Sequence, residues 1–253
     1  MIDTHCHLTD PRLFEQLDRV LARAAAAGVV RMVTIGTCIE DDQAAVALCA
    51  GRENVRCAVG IHPNYVTASS LGEVPLLRGL QAGPAVVALG EMGLDYFHQH
   101  APRQLQAPVF EAQLQLATEF GRPVVIHSRE SIDDCLAILR NHPAVPAVFH
   151  CFTGTPDEAR QIIDAGYLLG FTGAVTYKKN DALREVAAFA PADRILVETD
   201  APYLTPEPVR KQKTNEPALV MHTAAIVAAA RNLSPAELDG LTTDNAARFF
   251  RWA

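Results

Sequence analysis

Histidines and acidic residues recur at the ends of apolar segments in this chain, in types and spacings that suit metal binding. The first segment, "MIDTHCHL", carries His5 and His7 on alternate positions, with Asp3 one step further back. Side chains alternate between the faces of a strand, so these three point the same way. Imidazole and carboxylate are ligands that borderline and hard divalent cations prefer. We therefore interpret His5 and His7 as metal ligands, with Asp3 orienting an imidazole.

Side chains of the same kind end later apolar segments. They are His62 in "GIHP", Glu91 and Asp95 in "GEMGLDY", His127 in "PVVIHSR", His150 in "AVFHCF", and Glu198 and Asp200 in "ETDAPY". A lone histidine is more often a hydrogen-bonded core residue, so the metal interpretation depends on the whole set. Without a cation, carboxylates gathered in one place would repel one another. His98, His100 and His142 lie in a loop or at a helix end, where we expect them to be solvated.

The elements that must position these residues alternate along the chain. Eight short β-branched segments predict strands: "MIDTHCHL", "VVRMVTIG", "VRCAVGIHP", "AVVALGEMG", "PVVIHSR", "AVFHCF", "YLLGFTG" and "RILVETD". Helical patterns separate them, and capping signals mark helix starts at Thr155 and at Ser234 with Glu237. Alternation of this kind implies a parallel sheet with buried faces. Eight repeats predict a TIM (β/α)8 barrel, an α/β fold, as a single hydrolase domain over residues 1–253.

Composition narrows the class of protein. The net charge of -7 argues against wrapping duplex nucleic acid through bulk charge, although a local basic patch could still serve. Six cysteines without a CxxC pair indicate reduced thiols, and we expect a cytoplasmic protein without a signal peptide. The longest weakly polar run, "ALVMHTAAIVAAA", is too short to span a membrane. No obligate protein partner is evident.

In order along the chain, "DTHCHL", "GIHP", "GEMGLDY", "PVVIHSR", "FHCFTG" and "ETDAPYLTP" resemble the signatures of the TatD family of metal-dependent deoxyribonucleases. The resemblance extends from residue 3 to about residue 249, where "NAARFF" is similar to the closing helix of the family. It implies a TIM-barrel hydrolase of the amidohydrolase-like group with a centre of one or two metal ions.

The resemblance also implies a ligand set. One metal ion would be held by His5, His7, Glu91 and Asp200, and a second by Glu91, His127 and His150, so that Glu91 bridges the two. Some relatives lack the two histidines of the first strand, and their presence here favours a complete two-metal site. The expected cofactors are two divalent ions of Mg, Mn, Zn or Fe, since histidine and carboxylate ligands suit each of these to some degree.

The expected reaction is attack of a metal-activated water on a phosphodiester. Asp200 is our choice for the group that takes the proton of the water, and Glu91 belongs to the same catalytic set. His62 fits neither metal set, and we assign it to substrate contact or leaving-group protonation, with a core role as the alternative. Such an enzyme favours single-stranded DNA or a strand end, as a 3'-5' exonuclease does.

Substrate-binding residues are assigned on charge and position. They are Arg129 after the fifth predicted strand, Arg210 and Lys211 after the eighth, Glu198, which holds the substrate or a ligand, and His62. The chain departs from the family in this last region, because Thr214 stands where an arginine of an Arg-Asn-x-Pro element is common. The alternative for the nearby cations is a solvated loop.

Other functions stay open at this point. The same metal set could hydrolyse an ester, amide or lactone, including an aminoacyl ester on tRNA, because the chemistry of a barrel lies in its loops. A second alternative is a metal-binding protein without catalysis, although all the expected ligands are present. A cofactor-dependent oxidoreductase lacks support, because no GxGxxG follows a predicted strand.

Overall fold

A computed structural model describes residues 1–252 and contains eight strands, each inside or overlapping one of the eight predicted segments. The strands are β1 (Ile2–Cys6), β2 (Arg31–Ile35), β3 (Val55–Val59), β4 (Val86–Asp95), β5 (Val124–Arg129), β6 (Ala147–Phe149), β7 (Leu168–Phe171) and β8 (Ile195–Val197). The period of apolar and β-branched residues therefore identified every strand of the described chain.

Helices follow the strands. They are α1 (Pro11–Phe14), α2 (Leu17–Ala26), α3 (Ile39–Cys49), α4 (Ser70–Leu80), α5 (Arg103–Phe120), α6 (Ile132–Leu139), α7 (Pro156–Asp164), α8 (Asp181–Phe189), α9 (Val220–Ala230) and α10 (Pro235–Phe250). Short 3-10 turns occupy Pro63–Tyr65, Gly173–Thr176, Ala192–Arg194 and Pro217–Leu219. Both predicted helix starts are confirmed, since Thr155 and Ser234 each form a capping box, with Glu158 and Glu237 respectively.

The strands belong to one parallel sheet in which they follow one another in chain order from β1 to β8. An isolated parallel bridge between Cys6 and Ala201 also joins the end of β1 to the chain after β8. The fold is thus the TIM (β/α)8 barrel class that the sequence predicts. In this class the carboxyl ends of the strands, with the loops that follow them, carry the functional residues.

The contacts divide the chain into two compact units. Unit 1 contains residues 1–34 and the described residues from 151 onward, and unit 2 contains residues 35–150. The prediction of a single domain stays a prediction. No helix within residues 1–252 has the length and apolar character needed to cross a bilayer.

Unit 2 shows why the strands hold their positions. All ten residues of β4 are buried, and β4 pairs in parallel with β3 on one side and β5 on the other. Phe110 and Leu114 of α5 are buried as well, which covers apolar surface of the unit. Burial of both faces explains the continuous apolar sequence of "VVALG", which precedes Glu91.

Unit 1 is built in the same way around β7, β8 and β1. β7 pairs with β8 in parallel, and the hydroxyl of Thr4 in β1 donates to the backbone oxygen of Val197 in β8 (3.1 Å). Residues of β8 are fully buried. The polar residues at the ends of β1 and β8 are therefore set on a rigid apolar base.

Candidate functional site

In unit 2, three imidazoles surround one carboxylate oxygen. Glu91 Oε1 lies 2.7 Å from His150 Nε2, 2.8 Å from His127 Nδ1 and 3.3 Å from His62 Nε2. These residues come from β4, β5 and the chain that follows β3 and β6. The structure thus brings together four predicted site residues, which we call the unit 2 cluster.

The electrostatics of Glu91 follow from this arrangement. Burial by itself raises the pKa of Glu91, but the surrounding imidazoles of His150, His62 and His127 lower it well below its usual value. Glu91 is therefore a buried carboxylate that keeps its charge at neutral pH. A charged oxygen with three imidazole nitrogens close by is a donor set that suits a divalent cation.

Asp95 orients one of these imidazoles. His127 can donate from Nε2 to Asp95 Oδ2 (3.0 Å) while its Nδ1 faces Glu91. Burial raises the pKa of Asp95, but hydrogen bonds from His127 and His98 lower it well below its usual value, so this carboxylate is charged. The pKa of His127 is lowered by burial but raised overall by its hydrogen bonds to Asp95 and Glu91.

Close backbone packing supports this part of the unit 2 cluster. Gly93 has a φ of 140°, and a Cβ there would lie 2.0 Å from the backbone oxygen of His127. Only glycine can therefore occupy this position of the β4–β5 pair. Asn64 was not singled out from the sequence, yet its side-chain amide donates to Asp95 Oδ2 (3.0 Å) and adds to the restraint.

His62 has a different hydrogen-bonding pattern. Its Nδ1 accepts a hydrogen bond from the backbone N–H of Asn64 (3.0 Å), so a neutral ring carries its proton on Nε2. Burial lowers the pKa of His62, which favours that neutral form. The Nε2–H faces Glu91 and also lies 3.2 Å from His127 Nδ1. His62 is thus equipped to donate a hydrogen bond from this nitrogen.

In unit 1, a second group of predicted residues comes together, which we call the unit 1 cluster. Asp200 Oδ1 lies 3.4 Å from His7 Nε2 and 3.7 Å from His5 Nε2, and the two imidazole nitrogens lie 3.4 Å apart. Backbone hydrogen bonds hold the two segments side by side, from Asp200 N–H to the His5 oxygen (2.8 Å) and from His7 N–H to the Ala201 oxygen (2.7 Å).

Asp3 positions the chain next to Asp200. Its carboxylate accepts hydrogen bonds from the backbone N–H of Thr199 (2.9 Å) and from the hydroxyl of Thr199 (2.6 Å). Burial raises the pKa of Asp3 to about 8, although the hydrogen bonds from Thr199 lower it. The specific role that we predicted for Asp3, orienting an imidazole, stays a prediction.

Glu198 is buried and engaged by the protein itself. Its Oε1 accepts from the backbone N–H of Cys151 (2.6 Å), and its Oε2 accepts from the hydroxyl of Thr4 (3.2 Å). Both carboxylate oxygens of Glu198 are thus engaged by neighbouring residues of unit 1, and the predicted role of Glu198, holding the substrate or a ligand, stays a prediction.

The chemistry of both clusters fits a metal ion. In unit 1, ligand atoms of His5, His7 and Asp200 all lie within 4.8 Å of one another, and in unit 2 the same is true of His62, Glu91 and His127. His150 adds a further nitrogen close to Glu91. The predicted bridging of two ions by Glu91 stays a prediction.

Arg129 ends β5 beside an exposed aromatic ring. Its guanidinium lies 5.1 Å from the ring centroid of Phe97, whose side chain is 54% exposed. Asp95 fixes this loop, since its Oδ1 accepts from the backbone N–H groups of Phe97 (3.0 Å) and His98 (2.8 Å). Phe97 was missed in the sequence, although it directly follows the "GLDY" motif.

Two histidines differ from the expectation of full solvation. The His98 ring is partly exposed, but its Nδ1 lies 2.8 Å from Asp95 Oδ2. His142 is buried, with its Nδ1 3.2 Å from the hydroxyl of Thr118, so the expectation was wrong for this residue. Both find hydrogen-bonding partners on neighbouring elements, which the sequence does not show.

Arg210 and Lys211 lie on the loop between β8 and α9 and are exposed. The Arg210 guanidinium packs 3.9 Å from the ring centroid of Tyr177. Thr214 replaces the family arginine, but the neighbouring Asn215 is buried and donates from its side chain to the backbone oxygens of Thr199 (2.9 Å) and Tyr203 (2.6 Å). The loop is thus fixed even though the arginine is absent.

Comparison with known proteins finds relatives that match nearly the whole length of the chain. The model of the family described as TatD related DNase matches residues 2–251. The chain is 36% identical to a Bacillus subtilis protein named uncharacterized metal-dependent hydrolase YabD, covering 99% of each. It is also 36% identical, over 99% of each chain, to an Erwinia billingiae protein named 3'-5' ssDNA/RNA exonuclease TatD.

Solved structures agree with these matches. The structure of YJJV, a TatD homolog from Escherichia coli, superposes with a TM-score of 0.92 at 29% identity, covering 100% of this chain and 98% of that chain. A TatD-family hydrolase from Entamoeba histolytica has a TM-score of 0.86 at 24% identity, covering 98% of this chain and 97% of that one, which supports the fold alone.

Proposed function

The chain belongs to the family of TatD-related DNases, and on that premise we propose that it is a 3'-5' exonuclease on single-stranded DNA. Membership makes it a metal-dependent hydrolase. The observation that carries the finer proposal is the pair of ligand clusters, each combining imidazoles with a carboxylate. A relative named 3'-5' ssDNA/RNA exonuclease supports the choice of substrate and direction.

We assign one divalent ion to each cluster. His5, His7 and Asp200 would hold one, and Glu91, His127 and His150 would hold the other. Divalent cations supply a water of lowered pKa and neutralise charge that develops on phosphate oxygens. The ligand types suit Mg, Mn, Zn or Fe, and the choice among them belongs to experiment.

The residues of the chain supply the proton transfers. Asp200 accepts the proton of the attacking water at a carboxylate oxygen, because its side chain is only partly buried and stands next to two imidazoles. His62 donates from Nε2 to the leaving oxygen, since its Nδ1 is already engaged by the Asn64 N–H. Asp95 keeps the His127 ring in position throughout the reaction.

Substrate contacts are proposed for each unit separately. In unit 2, the exposed face of Phe97, with Arg129 against the same ring, supports stacking of a nucleobase. In unit 1, Arg210 and Lys211 are exposed cations that suit phosphate oxygens. We assign Glu198 to positioning, because both of its oxygens are engaged by the protein.

The proposal includes a cytoplasmic location. None of the six cysteines forms a disulfide within residues 1–252, which suits a reducing compartment. A single polypeptide acting without an obligate protein partner is part of the same proposal, since each ligand cluster is built from residues of this chain.

Digestion of end-labelled oligothymidylate tests the proposal. With Mg²⁺ or Mn²⁺, a 5'-labelled strand should shorten progressively, while a 3'-labelled strand should release labelled mononucleotide at once. A chelator should abolish both reactions. The same preparation should be offered aminoacyl-tRNA and 4-nitrophenyl acetate. Faster deacylation than DNA cleavage would overturn the nuclease proposal in favour of ester hydrolysis, and cleavage of neither class would favour a non-catalytic protein.

A further inference from the structure

All four lysines of the chain lie in two short segments of unit 1. Lys178 and Lys179 occur in "TYKKN", and Lys211 and Lys213 occur in "VRKQKT". Every other basic residue of the 22 is an arginine, and the chain as a whole has a net charge of -7. We call residues 177–179 with 210–213 the lysine tract.

The two segments are packed against each other. The Arg210 guanidinium lies 3.9 Å from the Tyr177 ring centroid, and the Tyr177 hydroxyl donates to the backbone oxygen of Thr205 (3.1 Å). A Cβ on Gly173 would lie 2.2 Å from the backbone oxygen of Leu204, so the chain that precedes each segment is closely packed as well. The lysine tract is therefore one continuous surface.

Hydrogen bonds fix the backbone beneath the lysines. Arg184 donates from Nη1 to the backbone oxygens of Val175 (2.8 Å) and Tyr177 (2.8 Å), and from Nη2 to that of Lys178 (3.2 Å). On the other segment, Asn215 makes the two hydrogen bonds described above. The backbone is thus held while the side chains remain outside.

The lysines themselves are exposed and uncompensated. All four are exposed, and within residues 1–252 none of them forms an ion pair. The nearest described acidic contact in the tract is from Arg210 to Glu207, at 3.9 Å. Four unpaired cations gathered on an acidic protein create a local positive field that attracts a polyanion.

The lysine tract is connected to the unit 1 cluster through the chain that follows Asp200. Its second segment lies on the loop that follows Asp200, and Tyr203 N–H donates to the Asp200 backbone oxygen (2.9 Å). The Tyr203 ring in turn lies 6.1 Å from the His7 ring. A ligand bound at this cluster can therefore continue along the same loop.

Lysine chemistry indicates what part of that ligand is recognised. A lysine ammonium is a flexible point charge, which contacts phosphates without the planar fork needed to read a base edge. The Tyr177 ring is only partly exposed and has the Arg210 guanidinium 3.9 Å from its centroid, so it offers less open surface for base stacking than Phe97, which is 54% exposed. We propose that the lysine tract binds the phosphodiester backbone of single-stranded nucleic acid, independently of sequence; this rests on the proposed nuclease function.

Salt-dependent binding tests the proposal without catalysis. Anisotropy of 5'-fluorescein-labelled dT20 is measured in EDTA over a series of KCl concentrations, for the wild type, K178Q/K179Q and K211Q/K213Q. Each double variant should reduce the slope of log K against log salt by about 1.4, because each phosphate that a lysine neutralises adds about 0.7 to that slope. K178R/K179R should keep the wild-type slope, because the charge is retained.

A matched control removes the same charge elsewhere in unit 1. Arg160 and Arg194 are paired with Asp157 and Asp193, away from the two lysine segments in sequence. R160Q/R194Q should keep the wild-type slope. Circular dichroism confirms that each variant is folded, and equal slopes in all variants would overturn the proposal.

Hydrolysis separates this proposal from the function on which it rests. With Mn²⁺, both lysine variants should lower kcat/KM on dT20 about tenfold, mainly through KM. K178Q/K179Q should also leave hydrolysis of bis(4-nitrophenyl) phosphate unchanged, because that substrate has no neighbouring phosphates. If the wild type cleaves dT20 and the lysine variants cleave it equally well, the proposed role of the lysine tract is refuted but the nuclease function is not. A wild type that neither binds nor cleaves dT20 would refute both. Weaker binding of the variants to phosphatidylglycerol vesicles, with unchanged dT20 binding, would assign the tract to membranes and overturn the proposal.

Discussion

The unit 1 and unit 2 clusters differ in how tightly the protein assembles them. In unit 2, Glu91 Oε1 lies within 2.7 to 3.3 Å of three imidazole nitrogens. In unit 1, Asp200 Oδ1 stays 3.4 and 3.7 Å from its two imidazoles, and the side chains of His7 and Asp200 are 12% and 14% exposed. The contacts around the carboxylate oxygen are therefore shorter in the unit 2 cluster than in the unit 1 cluster.

The two clusters also differ in the buried carboxyl group that lies next to the candidate ligands. Asp95 is a charged carboxylate that hydrogen bonds the His127 ring, while Asp3 has its pKa raised to about 8 and hydrogen bonds Thr199. The carboxylate of Asp95 thus contacts a ligand ring directly, whereas that of Asp3 contacts Thr199, next to the ligand Asp200. We infer that unit 2 is preorganised and that a cation contributes more to the order of unit 1.

The largest expected effect comes from removing either carboxylate charge at constant shape. Glu91→Gln and Asp200→Asn should each lower kcat/KM on dT20 by at least about 10³-fold, about 4 kcal/mol of barrier. Glu91→Gln also leaves His127 and His150 facing a neutral group. Circular dichroism and steady-state kinetics check both variants. Wild-type turnover in Asp200→Asn would show that Asp200 is not the base.

His62→Ala should lower kcat about 10²-fold, as loss of a proton donor does, while metal content is unchanged. The reason is that its Nε2 carries the proton in the neutral ring. His62→Gln should recover part of the loss, since its amide N–H can donate. Loss of bound metal in His62→Ala would instead make His62 a ligand of the unit 2 cluster.

Asp95→Asn tests the preorganisation of unit 2. We expect a 10- to 100-fold loss of metal affinity, about the usual effect of removing the partner of a ligand histidine. Asp134→Asn is a matched control, because this exposed carboxylate accepts from the Tyr96 hydroxyl in the same unit. Isothermal titration calorimetry with Mn²⁺ measures the metal affinity of both variants. Equal affinities in the two variants would contradict the role of Asp95.

Asp3→Asn should change the pH dependence of stability in metal-free protein. The folded pKa of Asp3, about 8, exceeds the value of about 3.9 in an unfolded chain, so the folded state binds the extra proton. This stabilisation is complete below pH about 4 and is lost as pH rises through about 8. Urea unfolding in EDTA should show a fall of at least about 1.4 kcal/mol in the wild type that is missing in the variant. If the free energy of unfolding depended on pH in the same way in the wild type and in Asp3→Asn, the raised pKa of Asp3 would be contradicted.

The fold and the gathering of the candidate ligands could be predicted because the signals for both are local. Every strand has its own apolar pattern, and each candidate ligand comes after several apolar residues of such a pattern, as "PVVIHSR" shows for His127. Capping at Thr155 and Ser234 is equally local, since a hydroxyl three residues before a glutamate is enough.

Contacts between distant segments could not be predicted. The hydrogen bonds of Asp95 to His127 and Asn64 join three strand ends. The engagement of Glu198 by Cys151 and Thr4 likewise depends on tertiary packing. His62 was separated from the ligands by resemblance, yet the structure places its Nε2 3.3 Å from Glu91. Hydrogen-bonding partners of this kind become visible only in the folded chain.

Metal content tests the central claim, that each cluster holds a divalent ion, most directly. Wild type, His5→Ala/His7→Ala and His127→Ala/His150→Ala are loaded with Mn²⁺, passed through gel filtration and analysed for manganese per chain. We predict about two ions per chain in the wild type and about one in each variant. The ion that remains in His5→Ala/His7→Ala, held by the unit 2 cluster, should be bound more tightly than the ion that remains in His127→Ala/His150→Ala. Wild-type manganese content in both variants, or no manganese in the wild type, would contradict the account.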